Sequence, residues 1–286
     1  MQTCTNPQHS FFKTRRAISV HLLCFMAVIF SNTADAIETS DWSISNESSQ
    51  KQISHQTWQE VLDKNLIDKD ASRVNLFKYG SISNTDKIKL RQYIGEMASI
   101  NPREYTKSQQ KAYWINIYNA LTVQLILTNY PVESITKLGE SIFSFGPWDD
   151  DAITISGETL SLNDIEHKII RPFFKDQRIH YAVNCASYSC PNLSGTAYTA
   201  KNTEHLLSQG ACDYINHPRG VAFEGDDLLL SSIYDWYIED FGGNDNSLIK
   251  HLLDCAQPSL KRKLAQFQNN PGDVDYHYDW RLNETN

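Results

Sequence analysis

Apolar positions recur at helical spacing through the first half of the chain. In HQTWQEVLDKNLI, Trp58, Val61, Leu62 and Leu66 share a face, and in NTDKIKLRQYIGEMASI so do Leu90, Tyr93, Ile94 and Met97. SQQKAYWINIYNALTVQLILTNYP is longer and more apolar. Trp114, Ile117, Tyr118, Leu121 and Leu125 form a wide stripe and Pro131 marks its end, which predicts the central helix of the fold. The pattern then shortens. AITISGETLSL predicts a hairpin around Gly157. SLNDIEHKIIRP predicts a helix capped by Ser161, with Asp164 completing a capping-box start and Pro172 ending it. RIHYAVN alternates, with Ile179, Tyr181 and Val183 opposite His180, Ala182 and Asn184, and reads as a strand. A helix over about Thr199–Asn216 follows, then a hairpin in VAFEGDDLLLS turning at Gly225-Asp226. Helical patches at IYDWYIEDF, SLIKHLLDC and SLKRKLAQF come next, and the aromatic tail YHYDWRLN suits a last strand. The expected class is α+β, a helix-rich single domain with a small antiparallel sheet.

Two segments stand apart from that pattern. Residues 1–36 have the layout of a secretory signal peptide: Lys13, Arg15 and Arg16, then the 14-residue run Ala17–Phe30, then the small-x-small site Ala34–Ala36. The apolar run is shorter than the roughly 20 residues a spanning helix needs, so the leader is expected to be cleaved and the product to be periplasmic or extracellular. Residues 37–52 are polar and Ser-rich and read as a flexible N-terminus ahead of one globular domain, 53–286. After cleavage no transmembrane segment is expected.

Charge narrows the partners. The formal net charge is −8, and removing the leader takes it to −10. Neutralising phosphates needs clustered Lys and Arg, so no nucleic-acid partner is expected. A small molecule or a peptide is the expected substrate class.

The densest chemistry lies in RIHYAVNCASYSCPNL. Cys185 is placed where the chain leaves a predicted strand, and a thiol there is either a nucleophile or a small buried hydrophobe. Cys190 follows with four residues between. The pair allows a tight disulfide, or half a metal site with His167 or His180, though no close His pair completes one. Cys212 and Cys255 allow a second pairing. His167 and Glu166 sit on the predicted NDIEHKII helix, where Asn163, Asp164 and Arg171 share the histidine's face. Asn116 and Asn119 interrupt the apolar central helix. A buried amide must be hydrogen-bonded, so each either ties a neighbouring loop or orients a catalytic imidazole. His180, Asp279 and Trp280 read as packing residues. No phosphate-binding glycine loop, Ser nucleophile elbow or His-Glu-x-x-His motif is present, so no cofactor and no metal is assigned.

Four blocks in order, KAYWINIYNALTVQLIL, LSLNDIEHKIIRP, RIHYAVNCASYSCPNL with AYTAKN, and YDWYIEDFG, resemble domain of unknown function family 547 of bacteria and plants, over roughly Gln109–Phe241. The resemblance implies no agreed activity. Bacterial members are often exported. Plant members can carry Ser where Cys190 stands, which implies that a Cys185–Cys190 bridge is not required by the fold. The family is also loosely similar to papain-like and transglutaminase-like folds, whose nucleophile usually opens the central helix. Here that helix carries Asn116 instead. The leading expectation is a thiol-dependent hydrolase or acyltransferase, with Cys185 as nucleophile, His167 as base, Glu166 or Asn116 as orienting group and the Ala186–Ser187 amides around an oxyanion. A non-enzymatic envelope binding or scaffold domain, and a redox or metal module on Cys185 and Cys190, are the alternatives.

Overall fold

One helix is buried on every side. In the computed structural model, α3 (Lys107–Asn129) carries an unbroken run of buried residues from Gln110 to Val123. A helix with no polar face must be enclosed by other elements. Thr106 caps its start, accepting from the Gln109 amide, and the helix ends before Pro131. The structure describes residues 41–68, 70–139, 145–269 and 271–285. The chain divides into two units, Met1–Asp41 and Trp42–Asn286, and every element described lies in the second. The leader read over 1–36 lies outside the described residues, as do residues 37–40 of the polar lead. The rest of that lead carries an anchor that its composition hides: Trp42 is buried, its ring edge-on to Trp114 of α3 at 5.2 Å.

Around α3 pack α1 (Gln56–Asn65), α2 (Asn84–Ala98) and the strand pair β1 (Leu66–Ile67) and β2 (Leu76–Phe77). The predicted hairpin forms as β3 (Ile153–Ile155) and β4 (Glu158–Leu160), antiparallel, with Gly157 at φ +83 in the turn. The expected capping box follows. Asp164 N–H donates to Ser161 Oγ at 3.0 Å, and Ser161 N–H donates to Asp164 Oδ2 at 3.1 Å. The helix they open is π-wound over Asp164–Ile170 and continues as α4 (Arg171–Phe174).

A second core gathers α5 (Thr203–Ile215), the hairpin β5 (Val221–Glu224) and β6 (Asp227–Ser231), α6 (Ile233–Trp236), α7 (Asp245–Cys255) and α8 (Pro258–Asn269). The aromatic tail supplies β7 (Val274–His277), which joins β6 in parallel and makes that sheet mixed. Cys212 and Cys255 form a disulfide between α5 and the end of α7. The class is α+β and helix-rich, as expected. Among the described residues no helix is long and apolar enough to cross a membrane.

One predicted element is different. RIHYAVN is not a strand but a 3-10 helix, Gln177–Tyr181, running into an irregular turn. Asp176 starts it: its carboxylate accepts from the Arg178 amide at 3.0 Å and also holds the Arg178 guanidinium. The alternation was misleading because both sides are buried. Ile179 and Val183 enter the first core and Tyr181 the second. This segment is the seam between the cores, and Cys185 lies at its end.

Candidate active site around Cys185

The seam is fixed from α3. Asn119 Nδ2 donates to the Ala182 carbonyl at 2.9 Å, and its Oδ1 accepts from the Asn184 amide at 2.8 Å. Asn184 extends the clamp: its Nδ2 donates to the Pro191 carbonyl at 2.7 Å and its Oδ1 accepts from the Ala186 amide at 2.9 Å. These bonds tie the two ends of the loop that carries both cysteines. Inside it Ala186 sits at φ +61, a left-handed conformation that costs a non-glycine residue about 1 kcal/mol or more. The C-terminal segment braces the outside. Asn283 N–H donates to the Ala186 carbonyl at 3.0 Å, and Tyr188 N–H to the Arg281 carbonyl at 2.7 Å.

Three side chains surround the Cys185 sulfur. Ser187 Oγ and Tyr278 Oη each lie 3.1 Å from it and 2.9 Å from one another. Cys190, a second free thiol, is the third. The Cys185 main-chain N–H donates to its sulfur at 3.0 Å. Burial works against a thiolate at Cys185. Hydrogen bonds from the Cys190 thiol, the Ser187 hydroxyl and amide, and the Tyr278 hydroxyl outweigh it and bring the thiol down to about 7. Cys190 moves the other way, pushed up by burial and by its neighbour. Cys185 is half-buried and Cys190 is buried.

A charged array lies nearby. Asp240 receives Arg171 through two bonds, Nε to Oδ2 at 2.6 Å and Nη2 to Oδ1 at 3.1 Å. His180 Nε2 lies 2.6 Å from the same Oδ2. Burial opposes charge on Asp240, but the bonds from His180 and Arg171 hold its carboxyl well below the usual range. The His180 ring stacks on Tyr237 with centroids 4.0 Å apart, and its Nδ1 faces Glu166 Oε1 at 3.9 Å. That Glu166 oxygen is buried without a hydrogen-bond partner. Tyr118 feels the charge of both the array and the sulfur. Its buried phenol is pushed far up by burial, and beyond that by Glu166, Tyr237, Cys185 and Cys190 together.

Of the four residues chosen from sequence, the structure brings Cys185 and Glu166 into this one neighbourhood. His167 points outward, its Nδ1 2.8 Å from Arg171 Nη1. Asn116 is fully buried and both ends of its amide are committed to Tyr198, donating to the carbonyl at 2.7 Å and accepting from the amide at 3.0 Å. Among the described residues no imidazole hydrogen-bonds the Cys185 sulfur, and no cluster of three or more His, Cys, Asp or Glu side chains is placed to hold a metal ion. Sequence reasoning missed the Ser187 hydroxyl, Tyr278 and Asp240, and took His180 for packing. Ser187 is signalled only by its place two residues after Cys185. Tyr278 stands 93 residues away, with nothing local to mark it. A separate polar cleft of about 450 Å³, with Arg73, Asp213 and His217 in its wall, includes none of the four chosen residues.

Residues 102–215 match the model of the family described as Protein of unknown function, DUF547. That segment is similar to DUF547. The matched segment begins before α3 and stops at the end of α5, short of the YDWYIEDFG block that the sequence resemblance included. Searches of curated proteins and of solved structures return no match. The matched segment holds Glu166, His180, Cys185, Ser187 and Cys190, whereas Tyr237, Asp240 and Tyr278 come from the chain beyond it.

Proposed function

We propose that this protein is an exported thiol-dependent hydrolase or acyltransferase, with Cys185 attacking an amide or thioester carbonyl of a small molecule or peptide. The observation carrying this reading is the set of polar groups around the Cys185 sulfur: two hydroxyls at 3.1 Å and a neighbouring thiol. A thiol near 7 is about half thiolate at neutral pH and retains good nucleophilicity, so it needs no adjacent imidazole base. That is a different centre from the Cys/His/Asn arrangement that the sequence suggests.

Attack by the thiolate forms the sulfur–carbon bond and moves the carbonyl electrons onto oxygen. The hydroxyls of Tyr278 and Ser187, each 3.1 Å from the sulfur, support this reading as donors to that oxygen. Collapse of the intermediate breaks the carbonyl carbon's bond to nitrogen or sulfur, the leaving amine or thiol takes its proton from solvent, and water or another acceptor then takes the acyl group from Cys185. Ala186 N–H cannot contribute, because it is bonded to Asn184 Oδ1. The unpartnered Glu166 oxygen suits an ammonium or N–H donor on the substrate.

The test is a screen of the full chain, with leader cleaved, against acyl-thioester and amide substrates, and mass spectrometry for an acyl adduct. Turnover and an adduct on the peptide Ile179–Lys201, both lost in Cys185→Ala, are expected. Equal turnover in both proteins, or a Cys185 that alkylates only in denaturant, overturns the reading. N-terminal sequencing of secreted material checks export, with Ile37 expected as the first residue.

A further inference from the structure

The geometry points to a second activity at the same loop: Cys185 and Cys190 act as a thiol–disulfide exchange pair, Cys185 attacking and Cys190 resolving. Four residues separate them, and the loop is already drawn closed. Cys190 Sγ accepts from the Cys185 amide at 3.0 Å, Cys190 N–H donates to the Ser187 carbonyl at 3.1 Å, and Asn184 Nδ2 grips the Pro191 carbonyl. The left-handed Ala186 is the fold-back that allows this. The sulfur of buried Cys190 therefore rests against the main chain of half-buried Cys185.

This asymmetry sets the order of events. Cys185 is the more exposed of the two residues and Cys190 is buried, so an incoming disulfide is assigned to Cys185 first and Cys190 acts from inside the protein. The lowered Cys185 thiol and the raised Cys190 thiol suit those two roles. The Cys185 thiolate attacks one sulfur of a substrate disulfide RSSR. The substrate S–S bond breaks, one RS⁻ leaves and takes a proton from solvent, and Cys185 holds a mixed disulfide. Cys190 then gives its proton to solvent and attacks the Cys185 sulfur, expelling the second RS⁻. The substrate is reduced to two thiols and the protein pair is oxidised to one disulfide.

The inference rests on Cys185 being the reactive sulfur, as proposed above, but not on acyl transfer. Trypsin places both cysteines in one peptide, Ile179–Lys201, which contains neither Cys212 nor Cys255. The experiment equilibrates the full chain in oxidised and reduced glutathione at graded ratios, quenches with acid and an alkylating agent, and weighs that peptide. As the ratio becomes oxidising, the doubly alkylated peptide is expected to give way to an unalkylated one, two hydrogen masses below the reduced, unmodified peptide. Cys190→Ala, with Cys190→Ser as a second variant should the first fail to fold, is expected to stop at a glutathione adduct on Cys185. A wild-type peptide that stays doubly alkylated at every ratio overturns the inference. So does a wild type that accumulates the glutathione adduct as the variants do. If Cys185 still carries an acyl adduct in the substrate screen, only this inference falls. If Cys185 takes neither glutathione nor acyl group, both fall.

Discussion

At the scale of single residues, the Cys185 sulfur is set by what donates to it. Its rate of alkylation is expected to rise with pH around a midpoint near 7. Below the midpoint the thiol is protonated and slow; above it the thiolate reacts. Tyr278→Phe and Ser187→Ala each remove one donor and are expected to move the midpoint up by about half to one unit, read from iodoacetamide kinetics across pH. His55 makes a separate prediction. Burial lowers its pKa to about 4 from an ordinary 6.5. Between those values the unfolded chain binds more protons than the folded one, so stability is full above about 6.5 and is lost as pH falls toward 4. The loss is at most about 3 kcal/mol. His55→Gln keeps a partner for the Tyr93 hydroxyl, which lies 2.7 Å from His55 Nδ1. Its urea midpoint is expected to fall less between pH 7 and pH 5 than that of the wild type. From sequence Cys185 is conspicuous because it sits among other polar residues in an apolar run. Tyr278 is not, since a residue's partner across 93 positions leaves no local trace.

At the scale of elements, α3 does more than fill the core. Its two buried asparagines look alike in WINIYNAL, three residues apart on one helix, and have different jobs. Asn116 holds the main chain of Tyr198, while Asn119 holds the turn that delivers Cys185. Either change to Ala leaves buried backbone groups unpaired and is expected to cost about 2–4 kcal/mol in denaturant unfolding. Only Asn119→Ala is expected to alter the pH midpoint of Cys185 alkylation as well. Most helices and both hairpins are legible from periodicity and turn residues, because one face of each contrasts with the other. The 177–181 segment is not, because two cores enclose it and the apparent alternation sorts residues between cores rather than between inside and outside. The π-wound segment is equally silent in sequence. Within it Ile165, Glu166, Ile169 and Ile170 are buried while His167 and Lys168 are exposed, so Glu166 shares the apolar face at helical spacing and its neighbour His167 does not.

At the scale of the whole molecule, long-range ties hold the site. The Cys212–Cys255 bond closes a loop with a sequence separation of 43, which stabilises the fold by about 4 kcal/mol in the chain-entropy account. A Cys212→Ser, Cys255→Ser double variant is expected to lose about that much stability while keeping the Cys185 midpoint. The C-terminal segment is the other tie. Asn283 is buried, accepting from Tyr79 Oη at 3.1 Å, and its main chain bonds both Phe77 and Ala186. Asn283→Ala is expected to speed hydrogen exchange over 279–285 and to raise the Cys185 midpoint, because Tyr278 loses its mooring. The tail also sets a timetable. A ribosome adds Tyr278 as the 93rd residue after Cys185. Until the tail docks, the sulfur lacks a main donor and stays nearer an ordinary cysteine, close to 8.5. The nascent chain thus travels with its sharpest group blunted, and completion of the fold is the step that arms it.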